Sequence, residues 1–138
     1  MRKIDKIIIH CSGTPELKDF DVEDIRDWHV NGNSWSDVGY HFIIKLDGTI
    51  QDGRPIKNIG AHVKGKNRSS IGVCYIGGMN RDMTNWKDTR TEKQKESLLK
   101  LINDLKERFP NTIVYGHKDF TNKKLCPSFD AKEEYSNE

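Results

Sequence analysis

The sequence lacks any apolar run long enough to cross a membrane. A spanning helix needs about 18 consecutive apolar residues, whereas the first apolar run of this chain covers only residues 7–9. The same run is shorter than the roughly 7–15 apolar residues at the centre of a signal peptide. We therefore expect a protein that is made in the cytoplasm and has no stable association with a membrane.

Paired cysteines and a surplus of charge are also missing. The three cysteines, Cys11, Cys74 and Cys126, form no C-x-x-C motif. An odd number of cysteines in a chain without a leader favours free thiols over disulfides. The 23 basic residues nearly balance the 21 acidic ones, and the net charge is only +2. This balance excludes the strongly basic surface that is typical of nucleic-acid-binding proteins.

What the chain does have is the composition of a folded domain. It contains 138 residues, of which 34% are hydrophobic and 32% are charged. A chain of this length buries about two-thirds of its unfolded surface, which is enough for one hydrophobic core. The composition is polar but not that of a disordered protein. We expect a single domain that spans residues 1–138.

Strand patterns and helix patterns alternate along the chain. Asp21 and Thr91 are N-cap residues of two predicted helices, and Pro110 marks the end of the second. The polar segment 77–90 predicts a surface excursion. Apolar runs and alternating patterns predict strands at residues 6–10, 39–45, 49–52, 71–76 and 112–115. This alternation predicts an α/β fold with a mixed central β-sheet of about five strands flanked by helices.

Two histidines stand where predicted strands end. His10 closes the first strand and His117 follows the last one, at the carboxyl ends where open α/β sheets carry their sites. Cys126 comes nine residues after His117. Imidazole and thiolate suit zinc, and three protein ligands leave one coordination position open, as in catalytic zinc sites. The spacing alone leaves a structural role for His10 open, and also other ligand triads that use His29, His41 or His62.

Longer segments of the sequence resemble one known family. The resemblance runs in order from about residue 4 to residue 132, which is nearly the whole chain. It is carried by the segments IIIHCS (7–12), IRDWH (25–29), DVGYHFIIKLDGT (37–49), HVKGKN (62–67), SIGVC (70–74) and KLCPSFD (124–130). These segments resemble the N-acetylmuramoyl-L-alanine amidases of the phage lysozyme and peptidoglycan recognition protein superfamily.

The resemblance implies a zinc ion that is held by three residues, His10, His117 and Cys126. It also implies that Tyr40 and Lys124 assist catalysis and that His62 lines the substrate groove. The implied reaction is hydrolysis of the amide between N-acetylmuramic acid and L-alanine in peptidoglycan. An ammonium two residues from a ligand suits the stabilisation of a developing oxyanion, and the phenol of Tyr40 suits a hydrogen bond to the attacking water.

Two alternatives come from the same superfamily. Non-catalytic peptidoglycan-binding recognition modules typically lack the cysteine ligand, whereas Cys126 is present here. Cytosolic amidases that recycle muropeptides resemble a pattern with aspartate at this position. The resemblance therefore favours a phage-type endolysin, a monomer that binds peptidoglycan and acts on the cell wall after release or export. Because the chain ends soon after Cys126, we expect no separate wall-binding domain.

Overall fold

The computed structural model describes residues 2–33 and 37–136. Its helices are α1 (Val22–Asp27), which continues as a π-helical turn over Trp28–Gly32, α2 (Glu92–Arg108) and α3 (Ala131–Glu134). Its strands are β1 (Lys6–Cys11), β2 (Thr14–Pro15), β3 (Phe42–Ile44), β4 (Ile50–Asp52), β5 (Ser70–Tyr75), β6 (Gly78–Met79) and β7 (Ile113–Gly116). Within the described ranges, no helix combines the length and the apolar character that crossing a membrane requires.

Five strands form the central sheet, in the order β4-β3-β5-β1-β7. All neighbouring pairs are parallel except β3 and β4, which are antiparallel. The predicted mixed sheet of about five strands flanked by helices is confirmed. In β1, Ile7, Ile8 and Ile9 are each 0% exposed, as expected for a continuous apolar strand that is covered on both faces.

Helices cover both faces of this sheet. One face carries Ile7 and Ile9 and packs against the apolar side of α2, which includes Leu98 and Ile102. The other face packs against α1 through a smaller cluster of buried residues, Val22, Ile25, Val38, Ile43, Cys74 and Ile76. The predicted N-cap residue Thr91 begins α2 and forms a capping box with Gln94, since the two exchange side-chain to backbone hydrogen bonds.

The register of β1 and β7 places the two strand-end histidines side by side. Ile9 pairs with Gly116 in this parallel ladder. His10 follows Ile9 on β1, and His117 directly follows the end of β7, so both side chains emerge at the same edge of the sheet. The sheet thus brings together two residues that are more than 100 positions apart in the sequence.

Two predictions from the sequence are wrong in detail. The strand predicted over residues 39–45 is limited to Phe42–Ile44. The preceding backbone instead bonds to the following loop, since the carbonyls of Gly39 and Tyr40 accept from the N–H groups of Ala61 (3.0 Å) and Arg54 (2.9 Å). The segment 77–90 is also more than a surface excursion, because it contributes β6, which pairs in parallel with β2 in a separate two-stranded sheet.

The same segment contains a buried cation. Arg90 is 8% exposed, and its guanidinium bonds to the carboxylates of Asp88 (2.8 Å) and Glu134 (2.6 Å). Its guanidinium carbon lies 3.4 Å from the ring centroid of Phe129. These contacts tie the start of α2 to α3 and to the loop that carries Cys126. A lone arginine in a polar stretch gives no sign of partners about 40 residues away.

The side chain of His41, the residue before β3, is hydrogen-bonded to the backbone of β5. Its side chain is 1% exposed, and its Nδ1 accepts the backbone N–H of Gly72 at 3.0 Å. The ring proton is therefore on Nε2, which donates to the carbonyl of Asn58 at 2.9 Å. Burial, and to a smaller extent the charges of Arg2 and Arg54, lower the pKa of His41 from 6.5 to about 4.

This depressed pKa predicts an acid-sensitive contribution to stability. In the unfolded chain His41 takes up a proton near its ordinary pKa, whereas in the folded chain it stays neutral down to a pH of about 4. The contribution is therefore fully present above about pH 6.5 and is lost as the pH falls towards 4. The shift corresponds to about 3 kcal/mol.

Urea unfolding at a series of pH values measures this contribution. His41→Asn retains an acceptor for the Gly72 N–H but cannot titrate. We expect its free energy of unfolding to fall less steeply than that of the wild type between pH 6.5 and 4. The remaining titrating groups are shared by both proteins, so equal slopes would contradict the assignment.

Candidate metal centre and active site

The predicted site residues surround one cavity at the carboxyl edge of the sheet. The cavity has a volume of about 380 Å³ and is lined by Tyr40, His62, His117, Lys124 and Cys126, among others. His10 is 1% exposed and its ring contacts three of the lining residues, Tyr40, His62 and His117. A larger cavity of about 510 Å³ lies over Phe42, Arg54 and Arg108, and none of the predicted site residues lines it.

Three of these residues form a cluster that could hold a metal ion. The candidate ligand atoms of His10, His117 and Cys126, two imidazole nitrogens and one sulfur, all lie within 4.8 Å of one another. With bonds of about 2.0–2.3 Å, one zinc ion is within reach of all three after small side-chain rotations. The donor set is the one that zinc prefers, so the residues present fit the metal that the sequence predicts.

The loop that follows β7 is anchored so that the thiol of Cys126 faces the two histidines. The backbone carbonyl of Cys126 accepts the N–H of Lys118 at 2.7 Å. The carbonyl of the next residue, Pro127, accepts the hydroxyl of Tyr75 at 2.5 Å. The backbone N–H of Cys11 donates to the Cys126 sulfur at 3.1 Å. A sulfur that accepts a backbone hydrogen bond is well placed to carry the negative charge of a thiolate ligand.

The electrostatics of the cluster favour neutral donors in the absence of a cation. Burial, together with the neighbouring imidazoles and Lys124, lowers the pKa of His10 well below its usual range. Burial and Lys124 likewise lower the pKa of His117. Contact with the Cys11 thiol and burial raise the pKa of Cys126. Two neutral imidazoles therefore offer lone pairs at neutral pH, and the thiol would release its proton on binding a metal.

Tyr40 and Lys124 lie beside this cluster. The ring centroid of Tyr40 is 5.0 Å from that of His10, and burial raises the pKa of Tyr40 well above its usual range. Its phenol therefore stays protonated and can donate a hydrogen bond. Lys124 is exposed and lines the cavity, whereas the adjacent Lys123 is exposed but does not line it.

The remaining histidines have other contacts. His29 lines the cavity and its Nδ1 accepts the N–H of Gly39 at 2.8 Å, while His41 is bonded to the backbone as described above. His62 lies against His10, with its Nδ1 2.8 Å from the His10 Nε2. Within residues 2–33 and 37–136, the cluster that could hold a metal ion includes none of these three histidines. The alternative ligand triads that the spacing left open therefore find no support.

Sequence reasoning missed several residues that also line the cavity. Trp86 reaches it from the segment that was predicted to be a surface excursion, and Ser12 and Asn33 reach it from the loops after β1 and α1. A half-buried tryptophan in an otherwise polar stretch was the available signal, because large aromatic side chains are seldom placed in surface loops without a contact.

Comparisons with known proteins point to one family. The sequence profile described as N-acetylmuramoyl-L-alanine amidase matches residues 1–129. The endolysin of Klebsiella phage KP32 is 42% identical over 127 residues, which cover 92% of this chain and 82% of the endolysin.

Solved structures show the same similarity. The N-acetylmuramoyl-L-alanine amidase LysC from Clostridium intestinale superposes with a TM-score of 0.80 at 27% identity, over 96% of this chain and 82% of LysC. The bumblebee protein PGRP-SA superposes with a TM-score of 0.80 at 27% identity, over 99% of this chain and 83% of that one.

Proposed function

The chain belongs to the N-acetylmuramoyl-L-alanine amidase family, and we propose that His10, His117 and Cys126 hold the zinc ion of its active site. It is a phage-type amidase that hydrolyses the amide between N-acetylmuramic acid and L-alanine of peptidoglycan. The observation that supports this ligand set is the approach of two imidazole nitrogens and one thiol sulfur to within 4.8 Å of one another. When bound, zinc supplies a Lewis acid that polarises a carbonyl and lowers the pKa of water.

The proposed roles of Tyr40 and Lys124 follow from their charge and position. Tyr40 is held protonated beside His10, so its phenol can donate to an oxygen of the reacting amide or orient the attacking water. Lys124 presents a positive charge at the wall of the cavity, where negative charge develops on the carbonyl oxygen in the transition state. In this proposal each side chain contributes to catalysis through the substrate or the attacking water, and not through the stability of the fold.

We also propose how the enzyme meets its substrate. The cavity beside the cluster is lined by both polar and aromatic side chains, including Trp86 and Asn33. Such a lining suits a ligand that carries both sugar and peptide groups. The enzyme would be synthesised in the cytoplasm, act as a monomer, and reach the wall after release or export.

Digestion of purified peptidoglycan tests the reaction itself. Cleavage of the proposed amide releases free stem peptides with new L-alanine amino termini and leaves the glycan strands intact. Amino-terminal analysis and a reducing-sugar assay together distinguish the outcomes. New reducing ends in place of new amines would mean a glycosidase, and binding without either product would mean a recognition module.

Elemental analysis of the purified protein tests the metal site. We expect about one zinc per chain, loss of the zinc and of activity on chelation, and loss of zinc in His117→Ala. His41→Asn is the matched control, because His41 is a buried histidine outside the metal-binding cluster, and this variant should retain zinc. Stoichiometric zinc in His117→Ala would rule out the proposed ligand set.

Lys124 and Lys123 offer a matched pair for the catalytic step. Lys124→Ala removes a cation from the cavity, so we expect turnover to fall on the order of 100-fold while zinc content and wall binding are retained. Lys123→Ala removes the same charge from a position that does not line the cavity and should retain activity near that of the wild type. An equal loss in both variants, or full activity in Lys124→Ala, would show that Lys124 does not act on the transition state.

A further inference from the structure

His62 makes a direct contact with the metal-binding cluster without belonging to it. Its Nδ1 lies 2.8 Å from the Nε2 of His10, and the two rings meet edge to face with an interplanar angle of 82°. In the described part of the chain, the cluster that could hold a metal consists of His10, His117 and Cys126. His62 therefore lies behind a ligand rather than among the ligands.

The direction of this hydrogen bond follows from what a ligand must do. A hydrogen bond between two neutral imidazoles needs one N–H donor and one lone-pair acceptor. A ligating imidazole gives the lone pair of one nitrogen to the metal and carries its proton on the other. Because the Nε2 of His10 is the nitrogen in contact with His62, that nitrogen carries the proton and donates it. The Nδ1 of His10 is then free to face the metal.

We propose that His62 is a positioning residue, which accepts the Nε2 proton of His10 and so fixes both the tautomer and the ring orientation of this ligand. The inference rests on the proposed zinc site. It assigns to His62 a role different from the groove-lining substrate contact that the family resemblance implies. Partners of this kind raise metal affinity because they remove the other orientations and tautomers of the ligand.

The surroundings of His62 hold its ring in one orientation. Its Nε2 lies 3.1 Å from the hydroxyl of Ser70, which is 0% exposed at the start of β5. The backbone N–H of His62 donates to the Oδ1 of Asn67 at 2.9 Å. The ring also packs over Gly72, where an added Cβ would lie only 2.8 Å from it. A larger residue at position 72 would therefore displace the ring.

Both ring nitrogens of His62 are consequently in use. With its Nδ1 accepting from His10, its proton is on Nε2 and is donated to the oxygen of Ser70. Neither a ring N–H nor a ring lone pair remains for a substrate, although the edge of the ring lines the cavity. A polar substrate contact through His62 would have to break one of these two hydrogen bonds, which favours the positioning role.

Two substitutions of similar size separate the two nitrogens. The Oδ1 of an asparagine can occupy the place of the histidine Nδ1, so His62→Asn retains an acceptor for His10. The longer side chain of His62→Gln reaches towards Ser70 and leaves His10 without its acceptor. We expect the zinc affinity of the full chain, measured by competition with a chromophoric chelator, to fall 10–100-fold in His62→Gln. In His62→Asn it should stay within a few-fold of the wild type.

Cobalt substitution adds a readout that a general loss of stability would not produce. The visible spectrum of the cobalt-loaded protein reports on the geometry around the metal, and we expect it to change in His62→Gln but not in His62→Asn. Ile102→Val, which removes one methyl group from the buried core beneath α2, is the control for destabilisation and should keep both the zinc affinity and the spectrum. The KM for peptidoglycan, measured with saturating zinc, should be unchanged in both His62 variants.

The possible outcomes are distinguishable. Equal zinc affinities in the wild type, His62→Asn and His62→Gln would overturn the inference while leaving the zinc site intact. An equal loss in both variants would overturn it as well, and so would an increased KM with unchanged zinc affinity, which would identify a substrate contact. A wild-type chain that binds no zinc would overturn the proposed metal site and this inference together.

Discussion

The parallel pairing of β1 with β7 is the constraint on which the site depends. Ile9 opposite Gly116 sets the register, and every later feature of the centre follows from the two histidines that come next. A slip of one residue would turn one imidazole to the opposite face of the sheet, because side chains alternate along a strand. The core also opposes a slip of β1, since a shift by one residue in one direction would place Lys6 where Ile7 is 0% exposed. The core thus protects the geometry of the site.

The cluster that could hold the proposed metal is costly to build without it. It places the imidazole of His10 and the thiol of Cys126 in a buried setting and the imidazole of His117 in a half-buried one. Burial favours the neutral form of both imidazoles, and contact with Cys11 together with burial favours the neutral thiol. Lys124, the nearby cation, adds repulsion against protonated histidines and so keeps their lone pairs available. Nitrogens that are kept free of protons leave their lone pairs available, and a metal ion would bind these lone pairs without having to displace a proton.

The sequence predicted the features that depend on local patterns. The apolar run of β1, the capping box of α2 and the positions of His10 and His117 after strands can all be recognised without a structure. The short strands β2 and β6 could not be predicted, because each has two residues and is defined only by its distant partner. Arg90 and His62 share this limitation, since the roles of both depend on partners more than 40 residues away. Family resemblance placed His62 near the substrate groove but could not reveal which neighbour its nitrogens contact.

Exposure divides the site into two kinds of residue. His10 and Cys126 are 1% and 4% exposed, so they are ordered by the fold whether or not substrate is present. Lys124 is exposed at the mouth of the cavity, where water screens its charge. As substrate fills the cavity and displaces this water, the local dielectric falls and the attraction between the ammonium and a developing oxyanion grows. In the proposed mechanism the ligands are therefore held rigidly by the fold, whereas the effect of Lys124 on the transition state increases when substrate is bound.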